Sequence, residues 1–240
     1  MQEVSKKDNK LRSDFNFKIR KEILDWIICI IIAITLALLF RYFIITPTIV
    51  NMVSMNPTLE SNDRLLLNRT IRISKKMPNR GEIITFEANS KKKYTSNEIN
   101  QENPIAEYKN EPNNLFYKFI YYVLELGKES YIKRVIGLPN EHIKIKEGKI
   151  YVNNIELQEE YLEEGVTTEV MDTALHKGFD DFIVPENCVF ALGDNRNHST
   201  DCRDFGCIPL DKIEGIAFFR FFPFDKIGNI YWLIKRQTED

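Results

Sequence analysis

The chain has 240 residues, 43% of them apolar, and its 33 lysines and arginines stand against 35 aspartates and glutamates. That length holds one membrane segment plus a globular domain of roughly 180 residues, and a net charge of −2 gives no basic surplus for a nucleic-acid partner. The histidines (His142, His176, His198) are scattered and the cysteines lack metal-site spacing, so neither a metal centre nor a cofactor is expected.

The first predicted element is the apolar run Ile23–Ile45, whose centre, Trp26 to Phe40, is interrupted only by Thr35. A helix rises about 1.5 Å per residue, so roughly 20 such residues cross a hydrocarbon core of about 30 Å. A soluble helix would alternate polar and apolar faces, and this run does not. Phe43-Ile44-Ile45-Thr46 offers no small-residue cleavage site, so the segment is expected to remain as an anchor. Lys6, Lys7, Lys10, Arg12, Lys18, Arg20 and Lys21 all precede it, which puts the N-terminus in the cytoplasm. The expected organisation is a cytoplasmic tail (1–22), a single-pass transmembrane anchor (23–45) and an extracytoplasmic β-rich domain (46–240).

Beyond the anchor, Thr46-Pro47 ends the helix. Thr48–Val50, Arg64–Asn68 and Glu82–Phe86 read as strands, the last led in by a turn at Asn79-Arg80-Gly81. Residues 88–130 form an insertion. Its first part is rich in lysine, asparagine and glutamate; the rest includes an apolar helix, Leu115–Leu126, with Asn113 or Asn114 as cap and Gly127 as stop. Strands resume at Tyr131–Ile136 and His142–Lys146, and Asn153-Asn154 joins Lys149–Val152 to Ile155–Leu157 as a hairpin. Gln158–Asp181 reads as a loop-rich excursion, and Cys188–Leu192 and Glu214–Phe222 as the last strands. Many short strands with little helix beyond the anchor predict a mainly β domain.

Three places carry candidate chemistry. Ser54 lies on a tight turn fixed by Pro57, among the apolar residues Met52, Val53, Met55 and Leu59. In an extended Tyr131–Ile136, Tyr131, Lys133 and Val135 share one face while Ile132, Arg134 and Ile136 share the other. Both faces are otherwise apolar, so one cation is expected inside and the other in water. Lysine suits the interior better, because a desolvated lysine can shed its proton and an arginine cannot. A neutral amine can then take the proton of a serine hydroxyl. The third place is the polar run Gly193–Gly206, where Asp201 and Arg203 are placed to pair and Ser199 to orient an amine. His198 raises a Ser-His-Asp alternative, with Asp201 or Asp204, that ranks second because it leaves Lys133 unexplained.

Taken together and in order, Ser54–Leu59, Arg80–Phe86, Tyr131–Pro139 and Gly193–Gly206 behind an anchor resemble the type I signal peptidases, membrane-bound Ser-Lys serine proteases. The likeness implies an all-β catalytic domain at the outer membrane surface that removes signal peptides from exported pre-proteins. By position it makes Ser54 the nucleophile, Lys133 the general base, Ser199 the serine that bonds the lysine, and Asp201 with Arg203 a supporting ion pair. Val50, Met52, Met55, Leu59, Tyr131 and Ile132 correspond to pockets that admit small side chains at −1 and −3 of the cleavage site. Three positions depart from the pattern: Met52 replaces a serine that serves the oxyanion hole in some members, His198 an asparagine, and Cys202 a serine. The rival readings are a membrane-tethered module that binds without catalysis, and a protease dedicated to one secreted partner.

Overall fold

A computed structural model describes residues 2–91, 93–95, 98–109, 114–173 and 176–230. Asn113, one of the two predicted caps, lies outside them. The chain divides into two compact units, one ending at Tyr42 and the other beginning at Phe43.

Helix α1 spans Gln2–Phe43. Nothing interrupts it, because no glycine or proline occurs before Pro47. Its part Phe17–Phe43 is long and apolar enough to cross a membrane, and an 18-residue stretch within it has a mean hydropathy of 2.8. Thr35 donates its hydroxyl to the Ile31 carbonyl at 2.8 Å, so the polar residue of the run is satisfied within the helix. The helix takes in the described part of the basic tail and stops at Phe43 rather than Ile45, because Ile45 already opens a strand.

The second unit is mainly β, as the strand patterns predict. In chain order its strands are β1 (Ile45–Ile49), β2 (Arg64–Asn68), β3 (Ile83–Glu87), β4 (Ser130–Gly137), β5 (His142–Lys146), β6 (Lys149–Val152) and β7 (Ile155–Glu156). There follow β8 (Asp172–Thr173), β9 (His176–Lys177), β10 (Asp181–Ile183), β11 (Cys188–Leu192), β12 (Ile208–Pro209), β13 (Ile213–Phe222) and β14 (Gly228–Asn229). The large sheet runs β1-β2-β13-β3-β4-β11-β12, with β14 on β13; a second sheet runs β10-β5-β6-β7, and β8 pairs with β9. Pro47 sits in β1, an edge strand, where a missing N–H is tolerated. At the hairpin, Asn153 and Asn154 take φ of 51° and 68°, the left-handed pair that a two-residue turn requires. The excursion 158–181 is less irregular than predicted, since it contains β8, β9 and the first residue of β10.

Among the described residues the unit also holds three short α-helices, α2 (Ile71–Ser74), α3 (Leu115–Lys118) and α4 (Cys202–Phe205). The predicted helix 115–126 is α-helical only to Lys118 and continues as a π-helical turn, Phe119–Val123. Asn114 caps it by accepting the Phe116 N–H at 2.9 Å, but the helical turn ends at Val123, four residues before the predicted stop, and Glu125 (φ 57°) and Gly127 (φ +74°) turn the chain beyond it.

Side chains of the large sheet feed two cores, and β3 shows how. Ile83 joins a small cluster with Val50, Met55, Leu59, Leu65, Leu67, Ala217 and Ile230, while Ile84 and Phe86 join a larger one with Val135, Phe190 and Phe205. The β3–β4 register pairs Ile84 with Lys133 and Ile83 with Arg134, so the two cations start on opposite sides of the sheet.

Candidate active site

Ser54 sits on a single 3₁₀ turn, Val53–Met55, between β1 and β2. The loop after β11 grips this turn: the Asn195 N–H donates to the Ser54 carbonyl at 3.0 Å, and the Asn195 side-chain amide to the Val53 carbonyl at 3.1 Å. Gly193 makes the approach possible. A Cβ there would lie 2.4 Å from the Ser54 carbonyl oxygen and 2.2 Å from Ser199 Oγ, closer than atoms pack.

Lys133 projects from the middle of β4, and its Nζ is hydrogen-bonded to Ser54 Oγ at 2.8 Å. Both residues are only 4% exposed. An ammonium there has lost its water, so burial drives the Lys133 pKa down from its ordinary value, and the negative charges of Asp201 and Asp194 reverse this only in part. With the amine neutral, the serine hydroxyl can turn its proton toward the nitrogen lone pair.

Asp201 is wholly buried and holds the far side of the lysine's surroundings. Its carboxylate accepts from Arg203 Nε and Nη2, both at 2.9 Å, and from the Gly193 N–H at 3.0 Å. Burial alone would push its pKa up, but the Arg203 charge and these hydrogen bonds bring it below the ordinary carboxylate value. The aspartate also caps α4, receiving the Arg203 N–H while Asp204 accepts the Asp201 N–H. Ser199 Oγ is buried without a hydrogen-bond partner and packs against Gly193, so no bond joins it to Lys133 in this structure.

Arg134 departs from the expected pattern. The sequence sends one cation inward, yet Arg134 is just 1% exposed and is as deep as Lys133. The reason is a partner 60 residues away: Asp194 receives Arg134 Nε at 2.9 Å and Nη2 at 2.6 Å. The guanidinium also donates to the Gly81 carbonyl at 2.9 Å and lies 4.1 Å from the Tyr161 ring centre. A planar fork can stay charged inside when its donors are met.

Neither aspartate serves His198. Asp201 is engaged by Arg203, and Asp204 lies 3.1 Å from the ring of a different histidine, His176. The hydroxyl meets the lysine instead.

A cleft of about 550 Å³ opens on the Ser54–Lys133 pair. Four of the six expected pocket residues line it: Val50, Met52, Tyr131 and Ile132. Met55 and Leu59 do not; they are buried in the smaller core, because their turn points them under the sheet rather than into the opening. Sequence reading missed Thr85 and the wall Lys128–Ser130, which also line the cleft. Alternation along β3 held the signal for Thr85, which pairs with Ile132 and so shares its face. The cysteines are all unpaired, with Cys188, Cys202 and Cys207 buried.

This arrangement, a desolvated amine against a hydroxyl beside an apolar cleft, suits acyl transfer, and comparison with known proteins points the same way. The profile of the family described as signal peptidase, peptidase S26, matches residues 23–222. Signal peptidase I of Bacillus licheniformis is 30% identical over 210 residues, covering 87% of this chain and 93% of that protein. Signal peptidase I P of Bacillus subtilis subsp. natto is 32% identical over 213 residues, covering 88% and 95%. A crystal structure of a signal peptidase I from Enterococcus faecalis V583 aligns with 59% of this chain and 97% of its own, at a TM-score of 0.35 and 24% identity. With a profile spanning most of the sequence and relatives at this identity over nearly their full length, the chain belongs to the peptidase S26 family of signal peptidases.

Proposed function

We propose that this signal peptidase cleaves pre-proteins with Ser54 as nucleophile and Lys133 as general base. The observation that carries the reading is the 2.8 Å contact between a buried amine and a buried hydroxyl. Ser54 Oγ attacks the scissile carbonyl while Lys133 Nζ takes its proton. The tetrahedral intermediate collapses, the proton passes to the leaving amine, and the acyl group stays on Ser54. Water, deprotonated by the same lysine, then releases the acyl group and restores the serine. With Met52 in place of a hydroxyl residue, the Ser54 backbone N–H carries more of the oxyanion stabilisation. Asp201 and Arg203 brace the loop through Gly193. Val50, Met52, Tyr131 and Ile132 form the apolar wall against which small side chains at −1 and −3 of the signal peptide lie.

The apolar part of α1 is the transmembrane anchor in this reading, with the basic tail cytoplasmic and the β unit outside. The bilayer thereby holds the enzyme where signal peptides emerge.

The test is cleavage of a peptide carrying Ala-X-Ala after an apolar stretch, with N-terminal sequencing of the product. Ser54→Ala and Lys133→Met should each abolish cleavage, by roughly 10⁴-fold or more, while the protein stays folded. His198→Ala should remain largely active. Near-normal turnover by either of the first two variants, or complete loss in the third, refutes the assignment.

A further inference from the structure

His176, on β9, is 5% exposed, and the reaction proposed above makes no use of it. Both of its ring nitrogens are engaged. Nδ1 lies 3.0 Å from the Tyr94 carbonyl oxygen, and Nε2 lies 3.1 Å from Asp204 Oδ1. A carbonyl oxygen can only accept, and this one also receives the Lys177 N–H at 3.0 Å, so Nδ1 carries a hydrogen. A neutral imidazole then aims its Nε2 lone pair at a carboxylate oxygen, two acceptors with nothing between them. The contact attracts only when one more proton lies between Nε2 and Oδ1, as imidazolium with carboxylate or as imidazole with carboxylic acid.

The pair joins two parts of the unit. Tyr94 belongs to the insertion 88–130; it is buried and meets the Phe179 ring edge-on at 5.8 Å. The insertion also grips the chain just past α4, where the Ala106 N–H donates to the Cys207 carbonyl at 2.9 Å and Ile105 bridges to Cys207. On the other side, Asp204 Oδ2 accepts the Asp201 N–H at 3.1 Å. The Asp201 carboxylate in turn holds the Gly193 N–H, and the loop from Gly193 holds the Ser54 turn through Asn195. Burial and the charge of Asp201 push the Asp204 carboxyl above its ordinary value, which its hydrogen bonds and Arg203 offset only in part. The other cations nearby are Lys91 of the insertion, over the Tyr94 ring at 4.7 Å, and Lys177, next to His176 on β9.

We propose that His176 is a positioning residue for the Ser54–Lys133 pair: through a proton held between its Nε2 and Asp204, it fastens the catalytic loop to the insertion. The role presupposes Ser54 and Lys133 as the reacting groups. While the proton is present, α4 is tied to the insertion and Asp201 keeps Gly193 in place. When it leaves at alkaline pH, Nε2 and Oδ1 repel, and the loop that grips the Ser54 turn loosens. Turnover therefore has an alkaline fall as well as the rise set by Lys133. Asp204→Asn separates the tie from the proton. Its amide N–H donates to the Nε2 lone pair and its carbonyl accepts the Asp201 N–H, so the same link forms with nothing left to titrate.

The experiment measures kcat and KM of the full chain in detergent micelles on the Ala-X-Ala peptide, from acid to alkaline pH, with circular dichroism as the check on folding. His176→Phe and Asp204→Ala should each lower kcat by roughly 10- to 100-fold with KM little changed. Asp204→Asn should retain most of the parent's kcat and lose the alkaline fall. Parental kcat in folded His176→Phe overturns the proposal. So does an Asp204→Asn variant as slow as Asp204→Ala, because then the carboxylate matters and not the tie; if His176→Phe does not fold, these two variants decide. A second readout needs no turnover. In Ser54→Ala with isotope-labelled histidine, nuclear magnetic resonance should show the His176 Nδ1 hydrogen at every pH. Its Nε2 signal should titrate, and should stay that of a bare acceptor once Asp204→Asn is added. A ring with Nδ1 bare overturns the proposal. These spectra do not depend on cleavage, so failure of the Ser54–Lys133 assignment, seen as turnover by Ser54→Ala, is distinct from failure of the tie.

Discussion

Replacing Asp194 by asparagine removes one charge from a fully enclosed ion pair without changing its shape. The Arg134 and Asp194 side chains are 1% and 0% exposed, and two hydrogen bonds of 2.9 and 2.6 Å join them. An exposed pair contributes at most about 1 kcal/mol, whereas breaking a buried one costs roughly 3–5 kcal/mol, because the remaining charge has neither water nor a counter-ion. For a unit of this size, that cost lowers Tm by about 6–20 °C. The double variant Arg134→Met with Asp194→Leu leaves no orphaned charge and should recover most of the loss. The same substitution also reports on catalysis. Asp194 is one of the charges that raise the Lys133 pKa against the lowering caused by burial. Removing it should lower that pKa further, so the rise of activity with pH moves to lower pH in Asp194→Asn. Thermal unfolding in detergent and a pH–rate profile on a short peptide measure the two effects. A cost near 1 kcal/mol or less, or a limb that moves to higher pH, would mean that solvent reaches this interior, and the desolvation argument for Lys133 would fall with it.

Three further outcomes are expected. Lys133→Met should be more stable than the parent at neutral pH: the lysine's pKa is depressed on folding, so the unfolded chain binds more protons, the penalty is largest well below the unfolded value near ~10.4, and denaturant midpoints should converge as pH rises toward it. Asp201 has the opposite sign. Its lowered pKa contributes stability above the unfolded value of about 3.9 that is lost as pH falls through the folded one; Asp201→Asn should lose roughly 3–5 kcal/mol at neutral pH and show a flatter acid limb in the same titration. Gly193→Ala should lose activity and about 1–3 kcal/mol, since the new methyl meets the Ser54 carbonyl at 2.4 Å; wild-type turnover in that variant would show that the loop and the serine turn are not held in register.

Much of this was readable because it is local. The strands His142–Lys146, Lys149–Val152 and Cys188–Leu192 were drawn to the residue from apolar alternation and flanking turns, and Asn153-Asn154 specified its own turn. Period-two alternation also put Lys133 on the Tyr131 face. What the pattern could not supply was distance along the chain. Asp194 lies 60 residues from Arg134 and 140 from Ser54, so nothing near Arg134 signals a buried counter-ion. Met55 and Leu59 looked like cleft residues through their nearness in sequence to Ser54, but one 3₁₀ turn between sheet strands aims them into the core. The aromatic segment 115–126 was legible as a helix, and its π-helical second half was not, because the same side chains serve either hydrogen-bond ladder.

Lys133 and Arg134 show why the proposed chemistry falls to one residue and not its neighbour. They are adjacent, equally deep, and on opposite faces of one strand. Arg134 retains its charge because two carboxylate oxygens and a backbone carbonyl accept its donors. The Lys133 amine, among the described residues, has one hydrogen-bond partner, a neutral hydroxyl. A guanidinium in that position would stay protonated and could never accept the serine's proton, and an ammonium with Arg134's set of acceptors would be held charged. The base therefore depends as much on the acceptors missing around Lys133 as on the contact it makes.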